Sequence, residues 1–179
     1  ALDGLLGAAA AGIAVPGITA QWPISPSRLQ TLLQCPHHFL FGSLLGFDEP
    51  AGAPALREIG QPAYGALFHV VAEEFFRAHG AAFCAGQETP EHWLAAADPI
   101  VDGMFEAFIH QYPLLGDAVR GAQRQRLRED LRDLLRYEWA LGARRFVATE
   151  RSFGEPAPVE LPLGDRSLFV RGTMDRIDA

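Results

Sequence analysis

Two side chains in this 179-residue chain are candidate ligands of one divalent cation: an imidazole on a predicted helix and a carboxylate on a predicted strand. The carboxylate is Asp175, within Gly172-Thr173-Met174-Asp175-Arg176-Ile177-Asp178. Apolar residues in segments 159–163 and 167–171 flank the turn Gly164-Asp165-Arg166, which predicts a β-hairpin running into that motif. Backbone pairing on a strand holds a ligand more firmly than a loop does. The same segment also reads as the polar face of an edge strand, with Asp175, Arg176 and Asp178 in local ion pairs. The imidazole is His69, which closes Gly65-Ala66-Leu67-Phe68-His69 and stands four residues before Glu73. That spacing stacks His69 and Glu73 on one side of a helix, where they can coordinate one metal or hydrogen-bond each other. A histidine beside an apolar face is also an ordinary structural residue with a backbone or carboxylate partner.

The elements that must position these groups are legible from periodicity. Leu67, Phe68, Val71, Phe75 and Phe76 give the His69 segment its helical repeat, on a helix expected to be largely buried. Upstream, Ser25 is a good N-cap with Pro26 at the first helical position, and Leu29, Leu32 and Leu33 form a stripe. That short helix is expected to break at Cys35-Pro36, with a second aromatic helix after it. Residues 46–62 hold three prolines and three glycines if the flanking Gly46 is counted, and read as a loop. Thr89 with Pro90 starts a predicted helix to about residue 112, and a further helix is expected from about residue 117 to 146 with Leu127, Leu131, Leu134, Leu135 and Leu141 facing inward. Cys84 is placed in the loop between helices. Strands begin near Thr149-Glu150, where Glu150 is a candidate accessory carboxylate or a surface strand residue. The expected fold class is α+β: helical to about residue 147, then antiparallel strands forming part of one sheet against the His69 helix.

Taken in order, Ser25-Pro26-Ser27-Arg28-Leu29 with Cys35-Pro36, then Gly65 to His69, then Gly172 to Asp178 resemble the PD-(D/E)XK nuclease superfamily. The resemblance is to its RecB-like branch, found in AddB-type subunits of bacterial helicase-nucleases and in Cas4-type proteins, and it runs from about Ser25 to the last residue. It implies an incomplete restriction-endonuclease-like core over residues 24–179, with residues 1–23 a linker or a segment packed on a preceding domain. It also implies metal-dependent hydrolysis of DNA by an exonuclease acting in double-strand-break repair and recombination. His69 and Asp175 fall on the family's positions for ligands of Mg²⁺ or Mn²⁺, with Glu73 and Glu150 as accessory carboxylates. Cys35 falls on the first cysteine of a four-iron, four-sulfur cluster. DNA and a helicase-nuclease partner subunit are the implied partners.

One departure bears on activity. The family's (Asp/Glu)-x-Lys motif and the remaining cluster cysteines follow the Gly-x-x-Asp strand, and neither is here: all 15 basic residues are arginine. Arg176 is no substitute for lysine, because a guanidinium has a different shape and stays protonated. The chain is therefore expected to be a fragment, inactive by itself and without an iron–sulfur cluster, with Cys35 a free thiol. His69 and Asp175 are expected within roughly 8 Å of each other, close enough for both to reach one cation.

Composition bounds the rest. Two cysteines give no disulfide framework, and the uncharged residues 4–27 are interrupted by glycines and prolines and lack a basic start, so neither a membrane span nor a signal peptide is expected. The implied location is cytoplasmic. Residues 120–145 carry eight arginines and four acids in a chain of net charge −7. Arg124, Arg128 and Arg132 are thereby candidates for DNA-backbone contacts, while the competing reading is a solvated helix face paired with Glu129 and Asp133. Two further functions stay open: a degenerate nuclease-like domain that binds DNA or a partner subunit without cutting, and an unrelated helical interaction module.

Overall fold

The computed structural model describes residues 14–47 and 57–179, which fall into two compact units. The first takes the N-terminal segment together with residues 152–173. Its helix α1 (Pro26–Gln34) starts where expected: the Ser25 hydroxyl accepts the Arg28 N–H at 3.3 Å, and Pro26 fills a position that needs no N–H donor. Cys35 is extended and ends α1, while its Sγ accepts the His38 N–H at the head of α2 (Pro36–His38). The expected aromatic helix is α2 continued by a π-helical segment, Phe39–Leu44.

Strands β2 (Val159–Leu163) and β3 (Arg166–Val170) form the expected antiparallel hairpin, turning at Gly164 with φ +65°. Ile24 adds to it by a parallel bridge with Val170: its N–H donates to the Phe169 carbonyl at 2.9 Å, and its own carbonyl accepts the Arg171 N–H. Ile24, Phe39 and Val170 are this unit's buried core. The Phe169 N–H also donates to the Gly17 carbonyl at 2.8 Å, so the chain is tied to the hairpin from Gly17 onward. Of the segment read as a linker, residues 1–13 lie outside the described residues, as does most of the 46–62 loop.

The second unit is built on α3 (Gln61–Cys84), α4 (Pro90–Gln111) and α5 (Asp117–Ala140), followed by most of β1 (Phe146–Phe153) and of β4 (Gly172–Asp178). The α3 residues Leu67, Val71 and Phe75 repeat every four positions and meet Val101 and Phe105 of α4 and Leu127, Leu131 and Leu135 of α5 in one apolar core. Phe75 is fully buried, with edge-on rings of Phe76, Phe83 and Trp93 around it. The Thr89 hydroxyl caps α4 by accepting the His92 N–H at 3.3 Å.

Three expectations need correction. Helix α5 ends at Ala140, because Gly142 takes a left-handed φ of +85° and stops it; Leu141 is consequently 57% exposed and faces outward. Cys84 is the last residue of α3 and buried, and burial pushes its thiol pKa up. The strands do not form one sheet: among the described residues β1 pairs with β4, and β2 pairs with β3 separately. The apolar residues of β3 pack instead with Ile24 and its neighbours in the first unit. The mutual hydrogen bonds of Arg145 and Ala179, both 2.8 Å, mark the end of the β1–β4 ladder as antiparallel. No helix of the described residues is long and apolar enough to cross a membrane.

Phe75→Ala is expected to destabilise the chain by about 3–5 kcal/mol, the range for deleting a buried ring from a core that refills poorly. Urea unfolding measures it, and a loss below about 1 kcal/mol would show that Phe75 is not central to this core.

Candidate metal centre

Burial of Leu67, Val71 and Phe75 fixes the rotation of α3, and that rotation turns His69, Glu73 and Phe76 toward the β1–β4 side. There they line a pocket of about 600 Å³ whose apolar floor includes Phe68, Ala72 and Leu134. Glu150 reaches His69 from β1: its Oε1 lies 2.9 Å from Nε2 of the imidazole. Asp175 approaches from β4, with Oδ2 3.9 Å from Nδ1 of the same ring. Ligand atoms of His69, Glu73 and Glu150 lie within 4.8 Å of one another. The centre is open, with 44% of the His69 side chain and 79% of that of Asp175 exposed.

The structure therefore brings His69 and Asp175 well inside the expected separation, and Glu73 and Glu150 with them. Glu150 stands out locally, since its φ of +48° is left-handed. A non-glycine residue held there carries strain on the order of 1 kcal/mol, which is tolerated where the surroundings over-determine it. The sequence carried no signal for this, because glutamate is not a residue that favours positive φ.

Glu138 and Arg176, which line the same pocket, belong to an ion cluster that the sequence did not announce. Arg144 donates from Nε to Asp178 Oδ2 at 2.7 Å and pairs through Nη2 with Glu138; its Nη1 donates to the Glu138 carbonyl. Arg176 donates to the same Asp178 oxygen from Nε at 3.0 Å and from Nη2 at 2.6 Å, and also pairs with Glu138. Its guanidinium stacks 4.3 Å from the centroid of Phe76. Burial disfavours the charge of Asp178, but hydrogen bonds from Arg144 and Arg176 outweigh it and hold the carboxyl below the ordinary carboxylate range. Burial likewise works against Arg176, whose pKa is nevertheless raised by Glu138 and Asp178. The local-pair reading of Arg176 and Asp178 was thus incomplete: the partners that complete the cluster are 34 and 38 residues away in sequence. The one available hint was Glu138, an acid near the end of an arginine-rich helix.

The arginine row of α5 faces α4. Arg124 pairs with Glu106 at 3.4 Å, Arg128 with Asp102 at 2.6 Å and Arg132 with Asp98 at 2.7 Å. Their partners are on the neighbouring helix and not Glu129 or Asp133; only Arg136 uses Asp133. Cys35 is an exposed free thiol in the other unit.

One imidazole nitrogen and several carboxylate oxygens form a donor set suited to Mg²⁺ or Mn²⁺: carboxylates match hard divalent cations, and a histidine favours Mn²⁺ over Ca²⁺. Three carboxylates gathered around His69 also leave excess negative charge, since Arg176 is already matched by Glu138 and Asp178.

The chain belongs to the PD-(D/E)XK nuclease superfamily, whose family model matches residues 23–179. Comparison with curated proteins and with solved structures found no match to the chain.

Glu138→Ala is expected to cost about 1.5–3 kcal/mol in urea unfolding, the range for hydrogen bonds to charged groups, because it leaves the half-buried guanidiniums of Arg144 and Arg176 sharing Asp178 alone. The acid limb provides a second check. A carboxyl with a depressed folded-state pKa contributes stability above the ordinary aspartate value near pH 4, and that contribution is lost as pH falls through the folded value. Stability of the wild type should fall more steeply below about pH 4 than that of Asp178→Asn; parallel acid limbs would show that the cluster does not stabilise the fold.

Proposed function

We infer that this chain supplies part of the active site of a metal-dependent DNA exonuclease. We place it in the RecB-like, AddB-type branch, in a cytoplasmic bacterial helicase-nuclease that acts with a partner subunit in double-strand-break repair and recombination. The observation that carries the nuclease reading is the convergence of His69, Glu73 and Asp175 on one open pocket, with Glu150 of the neighbouring strand against His69.

His69 and Asp175 are the proposed ligands of Mg²⁺ or Mn²⁺, with Glu73 and Glu150 alongside. When bound, the cation supplies Lewis-acid stabilisation of phosphate charge and an activated water. The protein's own contribution is placement. Packing of α3 fixes His69, pairing of β4 with β1 fixes Asp175, and Phe68, Ala72 and Leu134 give the pocket an apolar wall. The chain has no lysine to orient a nucleophile, and Arg176 is committed to Glu138 and Asp178. An (Asp/Glu)-x-Lys motif elsewhere in the parent protein is therefore part of the proposal. So is the four-iron, four-sulfur cluster, to which Cys35 contributes one thiolate and which one thiolate alone does not assemble. Arg124, Arg128 and Arg132 are left out of the proposed DNA contact, because their charge is answered by α4.

The lack of lysine favours one second reading, a nuclease-like domain that binds DNA or a partner subunit without cutting. The test separates the two. A protein extended through an (Asp/Glu)-x-Lys motif should cleave DNA with Mg²⁺ or Mn²⁺ and lose at least about a hundredfold in rate as His69→Ala or Asp175→Ala, since groups that act as a unit fail together. The 179-residue chain alone should not cleave. An extended protein that binds DNA and leaves it intact would favour the second reading.

A further inference from the structure

His69 presents a different carboxylate to each of its ring nitrogens, and the two distances mean different things. Nε2 and Glu150 Oε1 are 2.9 Å apart, an ordinary hydrogen-bond length that requires nothing between them. Nδ1 and Asp175 Oδ2 are 3.9 Å apart, too far for a hydrogen bond. That gap is slightly less than two metal–ligand bonds of about 2.1 Å, so a cation can touch both atoms. A neutral imidazole carries one N–H, and an ionised carboxylate only accepts. The proton therefore belongs on Nε2, where Glu150 takes it, and the lone pair is left on Nδ1, facing Asp175.

The backbone supplies a second, independent observation. Glu150 is in β1, yet its φ is +48°, one of only two non-glycine residues with positive φ among those described. Strand residues in regular conformation send side chains to alternating faces. A residue in the left-handed region departs from that alternation and re-aims its side chain, as bulged residues beside active sites do. The departure occurs at the residue whose carboxylate meets His69.

We propose that Glu150 is a positioning residue: it accepts the Nε2–H of His69, fixes the tautomer and ring orientation, and so presents Nδ1 together with Asp175 to the cation. This rests on the metal-centre reading above and refines it, since Glu150 then orients a ligand without being one. Carboxylates in this relation to a metal-bound histidine hold its ring and raise its basicity, and their loss typically weakens metal binding about 10–100-fold.

The test needs no cleavage. In the metal-free 179-residue chain, two-bond nitrogen–proton spectra at about pH 8, above the ordinary histidine pKa, report which ring nitrogen carries the proton. Wild type and Glu150→Gln, whose side-chain oxygen still accepts, should show His69 as the Nε2–H tautomer. Glu150→Ala and Glu150→Gly should shift it toward a mixture; the glycine variant also relieves the backbone, which separates the carboxylate from the strain. Mn²⁺ titration followed by electron paramagnetic resonance should find affinity about 10-fold or more weaker in the alanine and glycine variants, with glutamine close to wild type. A wild-type Nδ1–H tautomer, or an unchanged tautomer in both Glu150→Ala and Glu150→Gly, would overturn the proposal. If the tautomer behaves as described and wild type takes up no Mn²⁺, the orienting hydrogen bond stands and its role in cation binding by this chain is overturned. If wild type binds Mn²⁺ and all three variants bind equally, Glu150 has no positioning role.

Discussion

The position of Asp175 depends on the ion cluster of Glu138, Arg144, Arg176 and Asp178. Two carboxylates and two guanidiniums share it, so its formal charge is zero, and each arginine contacts both acids. Arg176 and Asp178 are two apart on β4 and hence on one face of the strand. Clamping that face to the end of α5 sets the register of the strand. A slip of one residue would exchange its faces and carry Asp175 away from His69. The Arg144 N–H meanwhile donates to the Cys84 carbonyl at 2.7 Å, tying the same cluster to the end of the helix that carries His69. The strand that carries Asp175 and the helix that carries His69 are thus referred to one point in the fold.

A cluster of this kind has a cost that shapes the chemistry above it. Ions removed from water are tolerated only when partners and hydrogen bonds replace solvation, and here the replacement consumes Arg176 on Glu138 and Asp178. What remains in the pocket is acidic, so an anionic group entering it meets repulsion unless positive charge is added. The arginines of α5 do not relieve this, because α4 answers them with Asp98, Asp102 and Glu106. The α4–α5 contact is instead a row of interhelical ion pairs beside an apolar core, a use of positive charge that a count of residues cannot distinguish from a nucleic-acid surface.

The sequence made the local features legible: the caps at Ser25 and Thr89, the turn at Gly164, and the rotation of α3 that directs His69 and Glu73 to one side. Each follows from residues within a few positions of one another. The motif order also placed His69 and Asp175 at one site, although they are more than a hundred residues apart. Long-range pairings were not legible. Nothing near Glu138 announces Arg176, and nothing in β3 announces that Ile24 will take its open edge. The end of α5 is a different case: Gly142 was a visible stop signal, outweighed by the apolar and charged pattern that continues to Phe146.

Glu150 shows why a site is harder to read than the fold carrying it. By composition and position it is a solvated strand residue, and regular strand geometry would leave it so. Its function as a hydrogen-bond acceptor for His69 comes from a backbone angle that no propensity predicts, held against strain by the neighbouring ladder and by the hydrogen bond itself. The same step explains how so open a centre can still order its histidine. With 44% of the His69 side chain exposed, packing alone leaves the ring free to turn. A carboxylate on one nitrogen removes that freedom and leaves the other nitrogen directed at Asp175, so order is supplied by a directional bond where burial is insufficient.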